Sequence, residues 1–404
     1  MRNPLRHSLT FVITFAALTT SLPAGSVSEH EALDTLLTRY DREAEGGERD
    51  RLAARIDSIA HQKYATVSRL YWHVDLASAK AAAREAGRPI LHLRMLGRLD
   101  EDLSCANSRL FRATLYANRE VSAFLRERFV LYWSSERPVP RVTIDYGDGR
   151  TLQHTVTGNS AHYVMDEDGH VLDALPGLYA PLAFRRELEG SLALAARVRH
   201  TSASERAERL ADHHQRQVTT AERDWQRLAA VPGIAELRRL IDERAETALV
   251  AAQRRAFAKS AVELRVVRAI TKDLAPEAPP VAEATELEIW TMAGTMLYGD
   301  AALDAASRRL TERLHNAARG SSGYGRPELD AMVARLQRTI VADTALNQLR
   351  LRPQISREIV RRAGRIDFDT LNAWIYDQVF RTPRHDPWLG LLQRDVFTGL
   401  PAHR

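Results

Sequence analysis

Cys105 is the single cysteine of this 404-residue chain, and it stands in Cys105-Ala106-Asn107-Ser108, between an apolar strand-like run and a helical run. A lone sulfur cannot close an internal disulfide, so its chemistry is that of one free thiol, either reactive or packed. As a nucleophile it would attack a partner disulfide, form a mixed disulfide with a protein or a small thiol, or be oxidised to sulfenic acid. A helix start favours the thiolate through its dipole, Arg109 adds positive charge, and the Ser108 hydroxyl is spaced to donate to the sulfur. Against this, Asp100, Glu101 and Asp102 lie just upstream, and negative neighbours raise a thiol pKa. If those acids form the first helical turn, Cys105 falls inside the helix and points at the core, as small buried cysteines commonly do. Both readings stand open.

Other constellations are weaker. Gly158-Asn159-Ser160-Ala161-His162 lacks the last glycine of a nucleophile elbow. Asp166-Glu167-Asp168-Gly169 is too short for a calcium loop and reads as a turn. His213 and His214 are adjacent, so a helix sends them to different faces, which suits solvated surface better than a shared metal. No His-Glu-x-x-His spacing occurs among the 14 histidines, and one cysteine excludes a multi-cysteine site. Neither metal nor cofactor is expected. Trp374, Tyr376, Phe380, Trp388 and Phe397 make an aromatic-rich end that reads as the C-terminus docking on its own core.

The N-terminus carries Arg2 and Arg6, an apolar stretch from Leu9 to Leu18, and the small residues Ala24-Gly25-Ser26. This is the pattern of a signal peptide over residues 1–26, too short to span a bilayer as a mature helix. It implies export across a bacterial inner membrane, to the periplasm or the exterior. No cysteine marks the cut, so no lipid anchor is expected. No later run reaches 18 apolar residues, so the mature chain is not expected to be an integral membrane protein. The formal charge is +5, falling to +3 once Arg2 and Arg6 leave. Basic residues, nearly all arginine, are interleaved with acids; nucleic acid needs a concentrated positive face and is not an expected partner. The charges read as solvated helix surface.

Periodicity supplies the elements that would hold these groups. Residues 27–70 read as a helical segment, with Leu33, Leu36, Leu37 and Tyr40 on one face, a break at Gly46-Gly47, then Leu52, Ile56 and Ile59. Asp75 to Ala86 is a helix capped by Asp75 and stopped by Gly87. Ile90 to Leu96 and Phe129 to Trp133 read as strands, with a helix at Glu120 to Arg128. Gly147-Asp148-Gly149 and the Asp168-Gly169 turn signal two hairpins. Pro181 to Val198 is a closing helix. From about Thr201 the strand signals stop, and stripes such as Leu329, Met332, Val333, Leu336 and Ile340 point to an irregular helical domain over 198–404.

The order over residues 71–197 (helix, strand, Cys-x-x-Ser at a helix start, helix, strand, hairpins, closing helix) resembles a thioredoxin-like domain. Leu76 to Leu93 is similar to the lead-in of exported thioredoxin-like proteins, an alanine-rich helix, then Gly-Arg-Pro, then the strand before the active-site helix. Arg119 to Val130 and Tyr163 to Gly169 resemble later segments of that fold. Thr157-Gly158-Asn159-Ser160 stands where the family has its cis-proline loop facing the cysteine, which makes Asn159 and Ser160 candidate substrate-binding residues. Two departures matter: Ser108 replaces the second cysteine, and neither Ser160 nor Ala161 is proline. An alcohol is not a thiolate at neutral pH, so Ser108 cannot expel a mixed disulfide.

The expectation is an α/β thioredoxin-like domain, a central mixed sheet flanked by helices, followed by an all-α C-terminal domain. The resemblance implies a single-thiol exchange protein, with Cys105 as nucleophile and Ser108 as donor, acting on a protein or low-molecular-weight thiol or disulfide partner. The alternative is a non-catalytic thioredoxin-fold binding or scaffold protein whose helical half receives the partner.

Overall fold

The computed structural model describes residues 28–156, 158–243, 283–317 and 325–382. The expected leader, Trp388 and Phe397 lie outside the described residues. Helices α1 (Glu29–Arg42) and α2 (Gly47–Ala60) open the chain, the first held by a capping box between Ser28 and Glu31. Leu33 and Leu37 lie one turn apart and meet Ile56, Ala60 and Ala65 in a small core of their own. After the short α3 (Ala65–Ser68), Trp72 is buried and its indole N–H donates to Gln62 Oε1 at 2.6 Å. Helix α4 (Leu76–Ala86) starts where Asp75 accepts the Ser78 N–H and stops at Gly87.

Strand β1 (Ile90–Leu96) is followed by α5 (Ala106–Leu110), which runs on as a π-turn through Phe111–Leu115, and then by α6 (Arg119–Arg128). This helical crossover allows β2 (Val130–Arg137) to lie parallel to β1, Ile90 opposite Val130. A hairpin follows, β3 (Arg141–Asp145) with β4 (Thr151–Thr155), which pairs only with itself. Strand β5 (Ser160–Met165) then returns antiparallel beside β1, and β6 (Val171–Pro176) antiparallel beside β5. The result is a four-stranded mixed sheet in the order β2-β1-β5-β6, with β1 as its hub. One parallel bridge, His73 to Tyr132, adds a step beyond β2. Helix α7 (Pro181–Val198), with proline in its first turn, closes this half.

All further elements among the described residues are helical: α8 (Ala203–Arg227), α9 (Ile234–Glu243), α10 (Glu283–Tyr298), α11 (Ala305–Ala317) and α12 (Arg326–Leu346). A π-turn at Asn347–Leu351 leads from α12 into α13 (Arg352–Arg361), and α14 (Phe368–Trp374) ends in another at Ile375–Val379. Gly364, at φ +71°, lets the turn after α13 press on α8, since a Cβ there would run into the Ala207 carbonyl. None of these helices is long and apolar enough to cross a membrane.

The sheet is covered on both faces. On one, His162 of β5 packs against Phe111 and Phe184 with ring centroids 4.7 and 4.9 Å away. On the other, His92 of β1 and Tyr163 of β5 pack against Phe368 of α14 at 4.8 and 5.1 Å. One buried apolar cluster therefore runs from Leu70 through the sheet to Phe380. The expectation that charges are solvated surface fails at several places. Arg112, Arg352 and Asp173 are buried, and Arg94 and Glu136 form a pair whose carboxylate is fully enclosed.

Candidate functional site

Cys105 is the N-cap of α5, and its backbone lies outside the helical region at φ −59°, ψ 155°. The three acids upstream therefore sit in the turn before the helix and do not form its first turn. The sulfur accepts the Ser108 N–H at 3.4 Å, which uses it as a capping atom. It shares a second hydrogen bond with Ser160 Oγ, 3.1 Å away at the start of β5. Ser108 itself does not serve the sulfur with its hydroxyl. That group lies 2.7 Å from Ser104 Oγ and 2.9 Å from the Cys105 carbonyl oxygen, so the expected donor is turned along its own helix. The short serine side chain back-bonds to the preceding turn because a nearer acceptor is there.

Of the two readings left open for the thiol, its burial is that of the packed one. Cys105 is 0% exposed, Ser108 0% and Ser160 0%. Arg112 braces the preceding loop from inside, donating to the carbonyls of Leu99 and Glu101 at 2.8 and 2.7 Å and to Ser104 Oγ at 3.0 Å. Arg109 reaches away to Thr155 Oγ1 at 2.7 Å. Tyr116, whose hydroxyl is 2.7 Å from His162 Nε2, is held protonated, its pKa well above the usual value because of burial and the nearby Cys105.

The loop before β5 faces this cap at close range. A Cβ on Gly158 would stand 2.9 Å from the Ala106 nitrogen and 3.1 Å from that of Asn107, so only glycine allows the loop so near the helix start. Asn159 is buried, but its polar groups are occupied by the far end of the chain. The Tyr376 hydroxyl donates to the Asn159 carbonyl oxygen at 3.1 Å, and Asn159 Nδ2 donates to Thr382 Oγ1 at 3.1 Å. Arg137 Nη2 donates to the Thr382 carbonyl oxygen at 3.0 Å. Asn372 joins the same seam, accepting from the Tyr163 hydroxyl at 3.0 Å and donating to Glu136 at 2.9 Å. Cys105, Ser108, Asn159 and Ser160 thus come together, while Tyr376 and Thr382, from the residues after α14, bond to Asn159.

A second polar cluster, which sequence reasoning missed, joins β6 to the helical half. Asp173 accepts from Arg352 Nη2 at 2.6 Å and from Ser191 Oγ at 2.7 Å, and Arg352 also pairs with Glu187. Burial pushes the Asp173 carboxyl upward, but Arg352 and then His213 and His214 outweigh it and hold it well below the usual range. His214, expected at the surface, is fully buried between Ser356 Oγ at 3.1 Å and the Leu172 carbonyl oxygen at 3.0 Å. Burial lowers its pKa to about 4 and that of His162 to about 3. The signal that could have found this cluster is Asp173 itself, one acid inside the apolar run Val171-Leu172-Asp173-Ala174-Leu175, which demands a buried partner.

Among the described residues, no group of three or more His, Cys, Asp or Glu side chains is placed to hold a metal ion. No family model matches the chain, and neither the curated proteins nor the solved structures returned a match.

Proposed function

We propose that this chain is an exported thioredoxin-like protein working as a non-catalytic binding module, its helical half supplying the partner surface. The observation that carries the reading is the state of Cys105. Its sulfur is fully enclosed, spent as a helix cap and a Ser160 partner, and faces a loop whose polar groups the chain's own C-terminal region already takes. A thiol reacts as an exposed or partly exposed thiolate, and an enclosed one is a packing residue. The four-strand order, with the cysteine directly after the hub strand and the 158–160 loop opposite it, supports the thioredoxin likeness. The missing second cysteine removes the dithiol cycle.

A second reading keeps the monothiol chemistry, because the sulfur's two nearest partners are a backbone N–H and a hydroxyl, groups able to stabilise a thiolate. Alkylation separates the two. The folded chain treated with a maleimide should gain no adduct on the time scale of minutes, and should gain one at Cys105 when denatured. A Cys105→Ser variant should keep partner binding unchanged. Prompt labelling of the native chain, or mixed disulfides lost in Cys105→Ser, would overturn the binding-module reading.

A further inference from the structure

The segment that bonds to Asn159, beside the sulfur's partner Ser160, is short. It comprises α14, the π-turn after it, and Phe380, Arg381 and Thr382. Left-handed residues precede it, Ala363 and Gly364 after α13 at φ +52° and +71°, and another, Arg381 at φ +55°, lies near its end. Its end is tied back by Thr382 N–H to the Tyr376 carbonyl oxygen at 2.7 Å. Its grip on the sheet half combines Phe368, packed on His92 and Tyr163, and the buried Leu371, Ile375, Tyr376, Val379 and Phe380 with the polar bonds to Asn159, Arg137, Glu136 and Tyr163.

We propose that residues 368–382 are an intramolecular cover over Cys105 and the 158–160 loop, able to lift while the sheet stays folded. This goes beyond the binding-module reading, since it makes the closed state conditional. The geometry supports it in three ways. The cover touches the loop through Tyr376, on the Asn159 carbonyl oxygen, and Thr382, on the Asn159 side-chain amide, whereas the sulfur's own bonds to Ser108 and Ser160 lie within the sheet half and survive lifting. The backbone freedom regained by a fifteen-residue piece is on the order of 1–2 kcal/mol per residue, which offsets much of the apolar burial lost. Local opening of a small unit below the global free energy is a common property of folded chains.

The test is the rate of maleimide labelling of Cys105 under native conditions. Tyr376→Phe with Thr382→Val removes two bonds that break on lifting, each worth roughly a factor of five, so labelling should rise about twenty-five-fold. Glu187→Gln weakens the Arg352 pair elsewhere, and should lower the urea midpoint while leaving the labelling rate unchanged. If labelling rises in both variants in step with lost global stability, or in neither, the cover is overturned, and the closed binding module survives. Prompt labelling of the unmodified chain overturns both. Hydrogen exchange gives a measure that needs no variant: the Phe380 and Thr382 amides should exchange through a smaller opening than the amides of β1. Equal protection would refute the cover.

Discussion

Three histidines, His92, His162 and His214, are fully buried and kept neutral by their surroundings, each with a pKa lowered from 6.5 chiefly by burial. When the chain unfolds they return to ordinary values near 6.5, so below that pH the unfolded state takes up protons that the folded state refuses. Stability from these groups is complete above about pH 6.5 and is lost as pH falls toward the folded values, about 4 for His214 and about 3 for His162. At pH 5, about 1.5 pH units below the unfolded value, His162 and His214 each cost about 2 kcal/mol. These two together cost about 4 kcal/mol, with His92 acting in the same direction, a large part of the stability of a typical domain, roughly 5–15 kcal/mol. Urea unfolding at pH 7.5 and at pH 5.0 measures this directly, with a large fall in midpoint expected at the lower pH. His162→Gln and His214→Gln should each remove about 2 kcal/mol of the pH-dependent part, whatever they do to stability at pH 7.5. Equal midpoints at the two pH values, or the His162 or His214 imidazole titrating near 6.5 in the folded chain, would refute the reasoning.

Two substitutions follow from contacts in the same core. Arg352→Met strands the Asp173 carboxylate without its cation and should cost about 3–5 kcal/mol by urea unfolding, with Asp173→Leu added to it restoring part of the loss. A loss under about 1 kcal/mol would show that water reaches Asp173. Gly158→Ala forces a methyl against the Ala106 and Asn107 nitrogens, which are backbone and cannot swing aside, and should cost about 1–3 kcal/mol with a matching fall in melting temperature. An unchanged melting temperature would mean that the loop stands off the helix start in solution.

Local signals were legible in the sequence, and long-range ones were not. Asp75 and Gly87 bound α4 because capping and left-handed termination act within a few residues. The glycines at 147 and 149 give the first hairpin for the same reason, whereas the start of α5 stayed open between Cys105 and the acids before it. The direction of the Ser108 hydroxyl was not legible, because donation to sulfur and back-bonding to the helix need the same spacing, and an acceptor in its own turn wins. The closure of Cys105 was less legible still, since the residues over Asn159 come from 217 and 223 positions away. His214 reads as surface until Leu172 and Ser356 are seen on either side of it. Adjacent polar residues on a helix carry no mark of which one faces a neighbour.

The unbroken apolar cluster from Leu70 to Phe380 has a mechanical consequence. The two halves are not beads on a thread. Asp173 of the sheet is paired with Arg352 of α13, and His214 of α8 bonds to the Leu172 carbonyl oxygen of β6, so a load applied to those helices reaches the strands without slack. A partner gripping the helical surface would in effect be holding the sheet.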